Sequence, residues 1–172
     1  VTFGGLTGGT FTVSVTDANG CPVGGTSTVV VLAGGTPDLL LTSSINPPIA
    51  SFPAVGSQVS ITYTISSKNG IASNSIIVRV TKPFSGYTMV LAAGQPNSWT
   101  DVTPGGVTGF KEYQLNGSVP CAGSVQLIVV ITRAGIDSPS TGVPITAAVR
   151  NTASPADPND FDNARASQFR VQ

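Results

Sequence analysis

The chain is 172 residues long, carries no formal net charge, and only 9% of its residues are charged. Such a balance offers phosphate no basic face, which argues against nucleic-acid binding. There is no His, so Ser-His and Cys-His nucleophile pairs and imidazole ligands to zinc are excluded.

Hydrophobic residues make up 40%, with 20 Gly and 13 Pro. That is enough apolar material for a core and too much for a disordered chain. The longest apolar runs, residues 29–33 and 127–131, fall far short of the roughly 20 residues a membrane helix needs. A preference for Thr, Ser, Gly and Val over Lys, Glu and Met suggests an extracellular protein. The sequence has no initiator Met and begins mid-pattern, so it reads as a segment of something longer.

In chain order, Phe11, Val13 and Val15 alternate with Thr and Ser, Asp17-Ala18-Asn19-Gly20 supplies turn chemistry, and residues 27–32 return. Asn-Gly favours the tight turns that suit strand twist, so residues 1–32 read as a hairpin. A lone hairpin is marginal in water. Its apolar strands call for an edge, either on the same chain or in a homodimer through the hairpin; disorder is the third option. Residues 33–36 form a short linker.

Residues 37–172 then show strands at regular spacing. Residues 38–44 form a first strand, stopped by Asn46-Pro47-Pro48. Val59, Ile61, Tyr63 and Ile65 alternate with Ser and Thr, as a strand with one buried face does. Lys68-Asn69-Gly70 turns the chain, and residues 75–81 return with Ile76, Val78 and Val80 on one side. Strands follow over residues 87–92, 107–115, 125–132, 145–151 and 166–171, the fourth-last of these after the Pro104-Gly105-Gly106 turn. Residues 125–132 are apolar on both faces, which places them centrally in a sheet. The pattern predicts an all-β fold, an immunoglobulin-like antiparallel β-sandwich of seven to nine strands with an N-terminal β-hairpin.

Two stretches resemble known families. Gly8-Gly9-Thr10-Phe11-Thr12-Val13-Ser14-Val15-Thr16-Asp17-Ala18-Asn19-Gly20-Cys21 resembles the end of the SprB-type repeat of giant surface adhesins of gliding Bacteroidetes, over residues 3–32. The front half of that repeat, with its cysteine, is absent. From residue 37 the chain resembles a conserved repeat domain of unknown function in bacterial surface proteins. The resemblance is carried by Val55-Gly56-Ser57-Gln58-Val59-Ser60-Ile61-Thr62-Tyr63-Thr64-Ile65, by Lys82-Pro83-Phe84-Ser85-Gly86-Tyr87-Thr88, and by Ala148-Val149-Arg150-Asn151 with Ser154-Pro155-Ala156-Asp157-Pro158-Asn159-Asp160-Phe161-Asp162-Asn163. Phe161 and Asp162 depart from the family's pattern at its close. The resemblance implies an immunoglobulin-like spacer, stalk or adhesive module with no enzymatic activity, joined to neighbouring domains of the same polypeptide at the cell surface.

Four constellations bear on chemistry. Asp101 and Glu112 flank the Pro104-Gly105-Gly106 turn and could approach each other as a glycosidase pair; the plainer reading is ordinary solvated charge. Asp157, Asp160, Asp162 and Asn163 offer oxygens to calcium, against a Pro/Asn-rich turn whose side chains cap local backbone. Trp99, with Tyr87, Tyr113 and Phe110, could stack on sugars, against a Trp that covers apolar core. Cys21 and Cys121 could form one long-loop disulfide or remain separate thiols. The leading expectation is a non-catalytic surface module needing no cofactor, with a glycan or surface protein as partner. The runner-up is a carbohydrate-binding accessory module of a secreted polysaccharide-degrading enzyme.

Overall fold

The computed structural model describes residues 9–13, 17–19, 24, 27–31, 37–47, 54–73, 75–82, 86–121, 123–135, 143–152 and 164–169. Among them lie eleven β-strands and no helix, and no helix is therefore long and apolar enough to cross a membrane. The chain divides into two compact units, Val1–Gly35 and Thr36–Gln172.

The first unit holds β1 (Gly9–Val13) and β2 (Ser27–Val31), paired antiparallel with Phe11 opposite Val29. The expected turn chemistry is present at Asp17, whose Oδ1 accepts from the Asn19 amide at 2.9 Å. Such Asx turns are why Asp and Asn gather between strands.

The second unit contains β3 (Leu39–Asn46), β4 (Gln58–Ser67), β5 (Ile76–Thr81), β6 (Tyr87–Leu91), β7 (Trp99–Asp101), β8 (Phe110–Leu115), β9 (Ser124–Arg133), β10 (Val143–Asn151) and β11 (Ala164–Phe169). They form a four-stranded sheet in the order β3-β4-β9-β6 and a five-stranded sheet in the order β11-β10-β5-β8-β7. Every pairing is antiparallel. The first order is the A-B-E-D sheet of an immunoglobulin constant-type domain, and β11-β10-β5 is its G-F-C sheet. The hairpin β7–β8 is inserted between the D-type strand β6 and the E-type strand β9, and extends the second sheet at the outer edge of β5. The predicted immunoglobulin-like sandwich is the observed fold.

Period-two alternation assembles the core. In β4, Val59, Ile61, Tyr63 and Ile65 are buried, while Ser60, Thr62, Thr64 and Ser66 face outward. Ile76, Val78 and Val80 of β5, Leu127, Val129 and Ile131 of β9, and Ile145 of β10 meet them from both sheets. Each such side chain contributes about 1.5–3 kcal/mol when fully buried. In β9 the outward positions Ile128 and Val130 are also apolar, and the strand is an interior one between β4 and β6, as its two-faced pattern predicts.

Most strand ends shift by one or two residues from the sequence-based expectation, and two differences are larger. Residues 107–109 are not strand, because the Pro104-Gly105-Gly106 turn is followed by three more loop residues before β8. The short strand β7 was not expected at all; its three residues carry no alternation for a pattern to show.

Candidate functional site

The aromatic residues weighed as a sugar platform are in the core. Tyr113 is 0% exposed, Tyr87 3% and Trp99 8%. Stacking needs an open ring face; of the two readings the structure shows the core one, with all three rings spent on internal packing. Each lies at an inward parity of its strand, Tyr113 opposite Val78 and Tyr87 opposite Arg133. The Tyr63 and Tyr113 hydroxyls are buried and find no hydrogen-bond partner among the described residues. Burial pushes the Tyr63 phenol far above its ordinary ionisation range, with the neighbouring Tyr113 adding to the rise. Burial does the same to Tyr113, helped by the charge of Asp101. Tyr87 is raised by burial and partly restored by Arg133.

Trp99 has a second task. Beyond the end of β6, the flank of β9 has no strand beside it, and the connection from β6 to β7 covers it with side chains. Gln95 donates to the Ile128 carbonyl and accepts from the Ile128 amide; Asn97 accepts from the Gln126 amide at 2.7 Å; and the Trp99 indole N–H donates to the Gln126 carbonyl at 2.7 Å. Three side chains thus do what a strand backbone would do for these buried polar groups. The alternating spacing of Gln95, Asn97 and Trp99 was a visible signal, yet its partner on β9 was not.

The two carboxylates weighed as a catalytic pair are neighbours held apart by parity. Asp101 sits opposite Tyr113, and the Val102 amide donates to the Glu112 carbonyl. Asp101 accepts from the Thr103 amide at 3.0 Å and from Lys111 Nζ at 2.9 Å. Partial burial alone would raise its carboxyl; the bonds from Thr103 and Lys111 outweigh that and hold it below the usual carboxylate range. Glu112 lies on the outer face of the five-stranded sheet, with its side chain 7% exposed. Its Oε1 accepts from Arg79 Nε at 2.9 Å and lies 3.5 Å from Arg150 Nη2. The Arg79 guanidinium also covers the Phe110 ring, 4.3 Å from its centroid. Each carboxylate is therefore committed to cations, and Asp101, held below the usual range, is the opposite of the raised, proton-bearing acid that glycosidase chemistry requires.

Asp157, Asp160, Asp162 and Asn163, the candidate calcium ligands, lie outside the described residues, as does Cys21. Among the described residues no three metal-ligating side chains converge. Cys121 is exposed with a free thiol.

No protein-family model and no curated protein matches the chain. Solved structures do. A putative membrane anchored protein from Corynebacterium diphtheriae aligns at 14% identity and a TM-score of 0.48, over 96% of this chain and 45% of that one. A single-substitution form of BcpA, the major pilin subunit of Bacillus cereus, aligns at 13% and 0.45, over 94% and 47%. AvmM, described as catalysing macrocyclization in alchivemycin A biosynthesis, aligns at 14% and 0.45, over 79% and 89%. The chain spans about half the length of the first and of the pilin. None of these reaches a TM-score of 0.5, and the immunoglobulin-like reading rests on the strand order itself.

Proposed function

We propose that this chain is a non-catalytic structural and adhesive module of a large secreted bacterial cell-surface protein, with its sandwich as the working body and residues 1–32 as the end of a preceding SprB-like repeat. The observation that carries the reading is the commitment of its chemistry-bearing groups to the fold. The three tyrosines and the tryptophan are core or edge cover, and Asp101 and Glu112 are each tied to cations. The outward positions of the four-stranded sheet hold Ser, Thr, Asn, Gln and aliphatic residues without an ionisable group. Surfaces of this kind suit contact with other surfaces rather than turnover of a small substrate. The burial of Trp99, Tyr87 and Tyr113 removes the support for the carbohydrate-binding alternative.

Display of the full chain on a non-adhesive bacterium tests the proposal. The expected result is attachment or clumping above that of cells displaying an unrelated β-sandwich, with unchanged activity on ester, peptide and glycoside substrates. Turnover of any such substrate, or attachment no greater than the control, overturns it.

A further inference from the structure

Among the described residues, the strand β6 has a neighbour on one flank only. It pairs with β9, Val90 opposite Val130 and Leu91 opposite Val129, and Ala92 N–H donates to the Ile128 carbonyl at 3.0 Å. In an antiparallel ladder hydrogen-bonded pairs alternate, so Ala92, Val90 and Thr88 turn their backbone groups toward β9. Met89 and Leu91 turn theirs outward, at the edge of the sheet.

Natural edge strands are blunted by lysines, prolines, bulges or a covering element. None of the first three is present in β6: its sequence is Tyr-Thr-Met-Val-Leu, its register runs unbroken, and no charged residue occurs from Gly86 to Thr100. The chain does protect the neighbouring flank of β9, with Gln95, Asn97 and Trp99, whereas among the described residues nothing does the same for the outer flank of β6. Beside it, on the outer face, Val90 is 54% exposed and adjoins the half-buried Val130 and Ile128.

We propose that β6 is an assembly edge that takes the β6 of a second copy of this chain, antiparallel, about a two-fold axis through Val90. This edge is its own complement. With Val90 opposite the Val90 of the second copy, Met89 of each chain faces Leu91 of the other in hydrogen-bonded pairs. Each copy's Met89 and Leu91 amides then donate to the other's Leu91 and Met89 carbonyls. Val90 faces its counterpart at a non-hydrogen-bonded position, where Cα atoms come within about 4.5 Å, and the exposed side chain covers itself. A symmetric contact brings identical patches together, which a charged edge would resist and this neutral one does not. The product is a continuous eight-stranded sheet from two four-stranded ones. Being small, below roughly 1,200 Å², the contact is of the weak class and is reinforced where copies are crowded together.

Sedimentation equilibrium of the full chain over rising concentration, with amide exchange read residue by residue, is the test. The expected result is a reversible dimer in which protection of the Met89 and Leu91 amides grows with concentration. Val90→Lys is expected to lose the dimer. So is Leu91→Pro, which removes an outward N–H and none directed at β9. Thr42→Lys, on the far strand of the same sheet, and Thr28→Lys, on the hairpin, are expected to keep it. A chain that stays monomeric at every concentration, a Val90→Lys variant as dimeric as the parent, or a dimer lost in Thr28→Lys instead overturns the proposal. Should both β6 variants fold poorly, concentration-independent exchange at Met89 and Leu91 of the parent overturns it alone.

Discussion

The indole N–H of Trp99 and the backbone carbonyl of Gln126 meet at 2.7 Å across the two sheets of the sandwich. Trp99 belongs to β7, in the five-stranded sheet; Gln126 belongs to β9, in the other. One side chain therefore fills core volume and closes a strand flank at once.

Trp99→Phe keeps most of the ring and orphans the Gln126 carbonyl. The expected cost is about 1–3 kcal/mol, the penalty for a buried polar group left unpaired. Trp99→Ala adds a cavity and is expected to cost about 3–5 kcal/mol. Urea unfolding measures both, and faster amide exchange at Ile128 is expected in each.

Glu112 draws two arginines to one buried oxygen. Glu112→Ala leaves both cations without their carboxylate and removes a side chain that Arg79 holds against the sheet. A loss of about 1–3 kcal/mol is expected, since hydrogen bonds to charged groups are worth about that much. Arg150→Ala, at 3.5 Å and largely exposed, is expected to cost less than 1 kcal/mol, as surface pairs do. Equal losses in the two variants would show that Arg79 is not the principal partner.

The buried phenols predict alkaline instability. Tyr63 and Tyr113 have folded ionisation shifted upward from the ordinary value of 10.0. The folded state therefore keeps protons that the unfolded state loses above pH 10.0. Stability that is fully present below that pH falls as pH rises beyond it, by about 1.4 kcal/mol per unit for each such phenol. Ultraviolet titration is expected to show phenolate appearing together with unfolding rather than before it. Tyr63→Phe removes a hydroxyl that has no partner among the described residues and is expected to be neutral or stabilising by up to about 2 kcal/mol.

The turn before β8 discriminates two adjacent glycines. Gly106 has φ +81, which a side chain would strain, whereas Gly105 has no such angle and open space around its Cβ direction. Gly106→Ala is expected to destabilise by about 1 kcal/mol or more, and Gly105→Ala to stabilise by about 0.4–1 kcal/mol through the unfolded chain. Thermal melting of the pair checks the sign of each.

Strand parity carried most of the fold in the sequence. Val59, Ile61, Tyr63 and Ile65 announced both a strand and its buried face, and the same parity put Arg79 outward between Val78 and Val80. What parity could not supply was which strand lies beside which. The meeting of Arg79, Arg150 and Glu112 depends on the order β10-β5-β8 and on the register that sets Arg79 opposite Glu112. For a related reason, the sequence left Trp99 open between core cover and a sugar platform. The choice is made only when the flank of β9 is in view, where Gln95, Asn97 and Trp99 serve its backbone groups.

The order of the strands also fixes how the sandwich would carry tension. The chain enters β3 at Leu39, opposite Ser67, and the short turn from there begins β5 at the same end, where Asn151 closes β10 against Ile76. It leaves β11 at Phe169, opposite Val143, at the far end. A pull through the two ends of the domain thus runs along the strands. It loads the ladders β3–β4 and β11–β10 in shear, all their hydrogen bonds together, instead of peeling them apart one at a time.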